Sequence, residues 1–191
     1  MTTTTINFIA GPSVGKSVMT SLVFAKLKMK GFNAEIVPEY AKQLVWTEEF
    51  ELLNNQYHVS YYQNKLLKAL DGKTDLIITD GCLLHGLVYN MVNPDNTSDK
   101  DKTKAAILNW FNSSNNINIY LERNPDILYE DAGRIQNENE AIHIDNLLKF
   151  QLFDNKIDYK SFVSDENSIS AIIDYIELKL NRVKIEKLNL V

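Results

Sequence analysis

A chain of 191 residues, 45% hydrophobic and 24% charged, is long enough for one domain with a sizeable core, and its composition excludes a disordered or collagen-like chain. The net charge of -5 supplies no global cationic field for nucleic acid or anionic lipid, so DNA is disfavoured as a partner unless a local basic groove binds it. One cysteine, Cys82, permits no internal disulfide and no multi-cysteine zinc cage. No basic-then-apolar leader follows Met1 and no apolar run is long enough to span a bilayer, so membrane insertion is excluded and the expected location is the cytoplasm.

In chain order, Ile6 to Ala10 is a short apolar run closed by a Gly/Pro/Ser turn. Ser17 to Lys30 then repeats apolar residues at Val18, Leu22, Ala25 and Met29 and stops at Gly31. Glu35 to Val37 predicts a strand ending at Pro38, and Tyr40 to Trp46 a short helix. Leu52 to Leu70 predicts one longer helix, and Leu76 to Thr79 a fully buried strand. Asn93 to Lys104 reads as an exposed polar loop. Ile117 to Leu121 predicts a strand, Glu138 to Leu152 a helix, Tyr159 to Val163 a last strand, and Ile169 to Val183 an amphipathic helix packed on the sheet.

Strands alternating with helices define an α/β class with a parallel sheet covered on both faces, in which ligands gather beyond the carboxyl ends of the strands. The polar residues just after Ala10, Val37, Thr79 and Leu121 are therefore the candidates.

After the first strand comes Ala10-Gly11-Pro12-Ser13-Val14-Gly15-Lys16-Ser17, the phosphate-loop pattern with alanine for its first glycine. Small residues let successive backbone N–H groups curl around phosphate oxygens. The new helix adds its positive end, Lys16 reaches the outer phosphates, and Ser17 offers a hydroxyl to magnesium. Asp80 ends the Leu76 to Thr79 strand, where a carboxylate holds magnesium or caps a helix. Glu39 follows Pro38 and can take or position the proton of an acceptor hydroxyl, or simply start a helix. Tyr129 to Asn139 is a polar segment that contains Gly133. With Arg123 at the end of the fourth strand and Arg134 inside that segment, the pair suits a closing lid that neutralises phosphoryl charge, or else ordinary pairing with Glu122, Glu130 or Asp131. His58, His85 and His143 are scattered without metal-ligand spacing, and Cys82 reads as a small buried hydrophobe.

The strings GPSVGKS, VPEYAKQLV, NNQYHVSYYQ, LIITDG and AGRIQNENEAIHID, in that order, resemble the P-loop nucleoside and nucleotide kinases. More narrowly, they are similar to the group containing the bacterial ribosylnicotinamide kinase domain and small phage kinases labelled AAA-type ATPases, some of which act as 5-hydroxymethyluracil DNA kinases. The resemblance runs from Ile6 to about Val163. It implies a three-layer P-loop NTPase fold with five parallel strands in one domain. It places the Gly11 to Ser17 loop on ATP, Ser17 and Asp80 on magnesium, Glu39 at the acceptor hydroxyl and Arg134 on the lid, and Arg123, from its place at the end of a strand, is a further candidate for the ATP phosphates. Gln56 and Gln63 lie seven apart, so their amides share one helix face toward a base or sugar, or form a polar surface. Tyr57, Tyr61 and Tyr62 at this spacing read as core. ATP is implied over GTP by the resemblance, there being no NKxD-type sequence.

The expected activity is transfer of the γ-phosphoryl of ATP, with magnesium, to a hydroxyl of a nucleoside, nucleotide or modified base. The alternatives are the same chemistry on a base in DNA, and an ATPase switch without a small-molecule acceptor. The location would be the host cytoplasm if the chain is phage-encoded. The oligomeric state is left open by the sequence, a dimer included.

Overall fold

The computed structural model describes residues 3–129 and 137–188. Five strands form a parallel sheet in the order β2-β3-β1-β4-β5: β1 (Thr4–Ile9), β2 (Ala34–Val37), β3 (Leu76–Thr79), β4 (Asn115–Glu122) and β5 (Lys160–Val163). The inner strands are buried on both faces; β3 is apolar from Leu76 to Ile78, whereas β1 and β4 carry the buried Asn7 and Asn118, with Asn7 Nδ2 donating to Asn118 Oδ1 at 3.0 Å, and the pleat sorts side chains by parity. Ile6 and Phe8 of β1 enter the core made with Val23 and Leu27 of α1 (Lys16–Met29) and Ile172 and Ile176 of α8 (Ser168–Leu188). Ile9 enters the opposite core, with Ile107 of α6 (Lys100–Asn112) and Ile144 and Leu148 of α7 (Glu138–Asp154). The result is the expected three-layer α/β sandwich.

The chain differs from its periodicity in two places, both set by side-chain caps. The helix expected over 52–70 is split into α3 (Phe50–Leu53) and α4 (Gln56–Leu70) because the Asn55 side chain accepts the His58 N–H and starts a new helix. The polar stretch 93–104 is a loop only as far as Asp99. Its carboxylate accepts the Lys102 N–H and launches α6, which buries Thr103, Ile107 and Phe111. A further helix, α5 (His85–Val92), follows β3 where no periodic signal stood out. α2 (Tyr40–Trp46) falls where its pattern put it.

Because β1 is flanked by β3 and β4, the turns after β1, β2, β3 and β4 open along one sheet edge. Val37 and Asn7 are both in register with Thr79, which brings Glu39 and Asp80 to the loop that follows β1. Among the described residues, no helix is long and apolar enough to cross a membrane.

Candidate active site

The loop from Ala10 to Ser17 turns into α1 through Gly15, whose φ of 87° lies in the left-handed region open to glycine. No side chain caps the start of α1, the arrangement of an anion-binding helix N-terminus. The start of the loop is clamped from outside. Ala10 N–H donates to His85 Nε2 at 3.3 Å, and Gly11 N–H to Asp145 Oδ1 at 3.0 Å. Arg123 donates from Nε and Nη2 to Asp145 Oδ2 at 3.0 and 2.9 Å, and from Nη2 to the Pro12 carbonyl at 3.0 Å. The Arg123 guanidinium, expected on ATP phosphate, is therefore engaged by Asp145 and the loop backbone; it ties β4 and α7 to the loop. A methyl group on Gly11 would collide with Asp145 Oδ1. Gly11→Ala is accordingly expected to weaken ATP binding about tenfold, the scale of one lost hydrogen bond to a charged group, as measured by calorimetric titration. Wild-type affinity would mean that the clamp does not shape the loop.

Inside the loop's mouth, Lys16 Nζ lies 3.0 Å from Glu39 Oε2 and 3.1 Å from Asp80 Oδ1. Burial works against the ammonium, but the two carboxylates outweigh it and hold the Lys16 pKa above its ordinary value. Burial likewise pushes the Asp80 carboxyl up, and Lys16 with the Ser17 hydroxyl hold it below its usual range. Ser17 Oγ donates to Asp80 Oδ2 at 2.6 Å, and Lys42 Nζ stands 3.5 Å from the same hydroxyl. Asp80 Oδ1 is buried and, apart from the ion pair, receives no hydrogen bond. A hydroxyl beside a buried carboxylate is a donor set that fits a hard divalent cation such as magnesium.

His85 is buried behind the loop, and burial together with the Lys16 charge lowers its pKa to about 4. The neutral ring can thus accept the Ala10 N–H. Its linkage follows: with the folded pKa below the ordinary 6.5, His85 contributes stability that is full above pH 6.5 and is lost as pH falls toward 4. The stability difference between wild type and His85→Gln should shrink across that window by up to about 1.4 kcal/mol per pH unit, read by urea unfolding. A pH-independent difference would contradict a buried neutral imidazole. Cys82 is buried as expected, and burial pushes its thiol up to about 12.

The loop opens into a cavity of about 1500 Å³ that also reaches Val45 of α2, Phe50 and Leu53 of α3, Gln56 and Val59 of α4, and Tyr89 of α5. Gln56 and Gln63 both line it and both are buried, so they are not a polar surface. Gln56 Nε2 donates to the Leu53 carbonyl at 2.9 Å, and the Gln63 amide is bonded to backbone at both ends. The core expectation for Tyr57, Tyr61 and Tyr62 is corrected: all are at least 36% exposed. They join Tyr40, His58 and Trp110 in an aromatic cluster on the outer side of α4, which stacking rather than burial holds together. Arg134, and with it residues 130–136 of the expected lid, lies outside the described residues. Asp145 and His85 carry no sequence signal that marks them as site residues. Asp145 sits in the quoted IHID string without a role, and His85 acts on a backbone amide 75 positions away, for which no local signal exists.

A five-stranded parallel sheet with this loop after its central strand is an α/β P-loop NTPase fold. A family model described as AAA domain matches residues 5–165, and the chain belongs to that family. No curated protein matches it. Among solved structures, it is similar to the deoxyadenosine kinase of M. mycoides with the products dCMP and dCDP bound, at 19% identity and a TM-score of 0.54, covering 95% of this chain and 99% of that one. The same kinase with bound dCTP gives 18% identity and a TM-score of 0.51 over 93% of this chain and 99% of that one. The APS kinase CysC of Mycobacterium tuberculosis, in complex with AMPPNP and APS, gives 12% identity and a TM-score of 0.48 over 92% and 98%.

Proposed function

We propose that this protein transfers the γ-phosphoryl group of ATP to a hydroxyl of a nucleoside, nucleotide or modified base. The observation that carries the reading is Glu39: a carboxylate from a different strand end stands 3.0 Å from the phosphate-loop lysine, in a cavity that continues past the loop toward α2 to α5. In this reading Lys16 follows the charge that develops on the transferred group, and Glu39 accepts or orients the proton of the attacking hydroxyl. Ser17 and Asp80 would hold magnesium, which supplies charge neutralisation between the outer phosphates. Gln56, at 4% exposure, would meet the acceptor, whose apolar surroundings at Val45, Phe50, Leu53 and Val59 suit a ring more than an extended chain. The likeness to the solved deoxyadenosine kinase structures is one of fold, and the choice of acceptor class rests on the lining of the cavity.

The reading is tested by ADP release in the presence of nucleosides, nucleoside monophosphates, nicotinamide riboside and DNA containing 5-hydroxymethyluracil. Stimulation by one class of acceptor is the expected outcome, and its identity separates a free acceptor from a base in DNA. Turnover indifferent to all of them would instead describe a switch ATPase.

A further inference from the structure

The Gln63 side chain, 5% exposed on α4, brackets Glu39. Its Oε1 accepts the Tyr40 N–H at 2.8 Å and its Nε2 donates to the Pro38 carbonyl at 3.2 Å, the backbone groups on either side of that residue. Glu39 starts α2 in extended conformation and makes no side-chain cap, so its own helix does not fix its carboxylate. The same amide presses on the neighbouring turn. A Cβ on Gly81 would lie 2.6 Å from Gln63 Oε1, 2.7 Å from Cδ and 2.8 Å from Nε2, closer than van der Waals contact allows. Gly81 follows Asp80, whose N–H is bonded to the Val37 carbonyl at 3.2 Å, while Gly81 N–H is bonded to Thr79 Oγ1 at 3.0 Å. One buried amide therefore sits between the two turns that deliver Glu39 and Asp80 to Lys16.

We infer that Gln63 is a positioning residue: it sets the place of the Glu39 carboxylate relative to the phosphate loop, and Gly81 is glycine because that amide occupies the space of a side chain. The inference rests on the reading of Glu39 as the group that engages the acceptor hydroxyl. A primary amide suits the task because it satisfies one donor and one acceptor of the same turn at once. An apolar replacement of equal length frees the turn to shift, and a shift of about 1 Å in a reacting group costs on the order of 10²-fold in rate.

The test is a double-mutant cycle between Gln63→Met and Glu39→Gln, using γ-labelled ATP and whichever compound of the panel above takes the label. Gln63→Met is expected to lower kcat by ~10- to 10²-fold while the apparent ATP KM changes by less than about twofold. In the Glu39→Gln background the same substitution should cost less than about twofold, because the group it positions is gone. Losses that simply add, or a defect confined to ATP KM or to thermal stability, would overturn the inference. Gly81→Ala, which pushes on the amide from the other turn, should reproduce the kcat loss and be non-additive with Gln63→Met; wild-type kcat in this variant also overturns it. If Glu39→Gln alone keeps wild-type transfer, or no compound takes label, the reading of Glu39 fails first and this inference with it. A dead Glu39→Gln beside a fully active Gln63→Met overturns the inference alone.

Discussion

Lys16→Met is expected to reduce phosphoryl transfer by ~10³-fold or more, the upper range for removing one preorganised group that stabilises transition-state charge, and to weaken ATP binding as well. The ammonium is held between Glu39 and Asp80, with all three side chains mostly buried, so it is already fixed where an incoming phosphate must draw it. That placement has a second consequence. Removing the cation leaves two carboxylates without their shared counter-charge, and the variant should lose about 1–3 kcal/mol of stability, less than a fully buried pair because water still reaches the site. It should nonetheless remain folded, since neither core includes Lys16. Steady-state kinetics and thermal unfolding of the variant check both statements. Wild-type turnover would remove the loop from the active site.

Glu39→Gln is expected to lower transfer to the acceptor by ~10²-fold or more, the scale of a positioned general base, with ATP affinity close to wild type. The amide keeps the size of the carboxylate and can still approach Lys16, so loss of activity would report lost proton acceptance or orientation. Single-turnover kinetics with ATP titrated separately divides the two effects. Unchanged transfer would return Glu39 to being an acid at the start of α2, where it heads the helix without capping it.

The fold was legible from the sequence because the strands are short apolar runs punctuated by turn residues, and their order with helices leaves little choice but a parallel sheet. The phosphate loop was legible for the same reason: strand, loop and helix each carried a local signal. Boundaries failed where a single capping side chain overrode periodicity. Asn55 splits the single helix that the spacing from Leu52 to Leu70 predicts, and Asp99 begins one inside a run of charges. In the site, Glu39 and Asp80 could be picked because each lies within two residues of a strand's carboxyl end. The partners of Gln63, Arg123 and Asp145 could not, because their bonds run to backbone groups brought near only by the folded sheet edge. A polar side chain that serves the backbone has the same sequence signature as one that serves a ligand.

In the proposed reaction the γ-phosphoryl of ATP passes to an acceptor hydroxyl held beside Glu39. It is tested most directly by following the γ-label of ATP into products in the presence of the stimulating acceptor. Label is expected in a new phosphate ester of that acceptor, formed in step with ADP and lost in Glu39→Gln. Label found solely in inorganic phosphate, released at a rate the acceptor does not change, would contradict it.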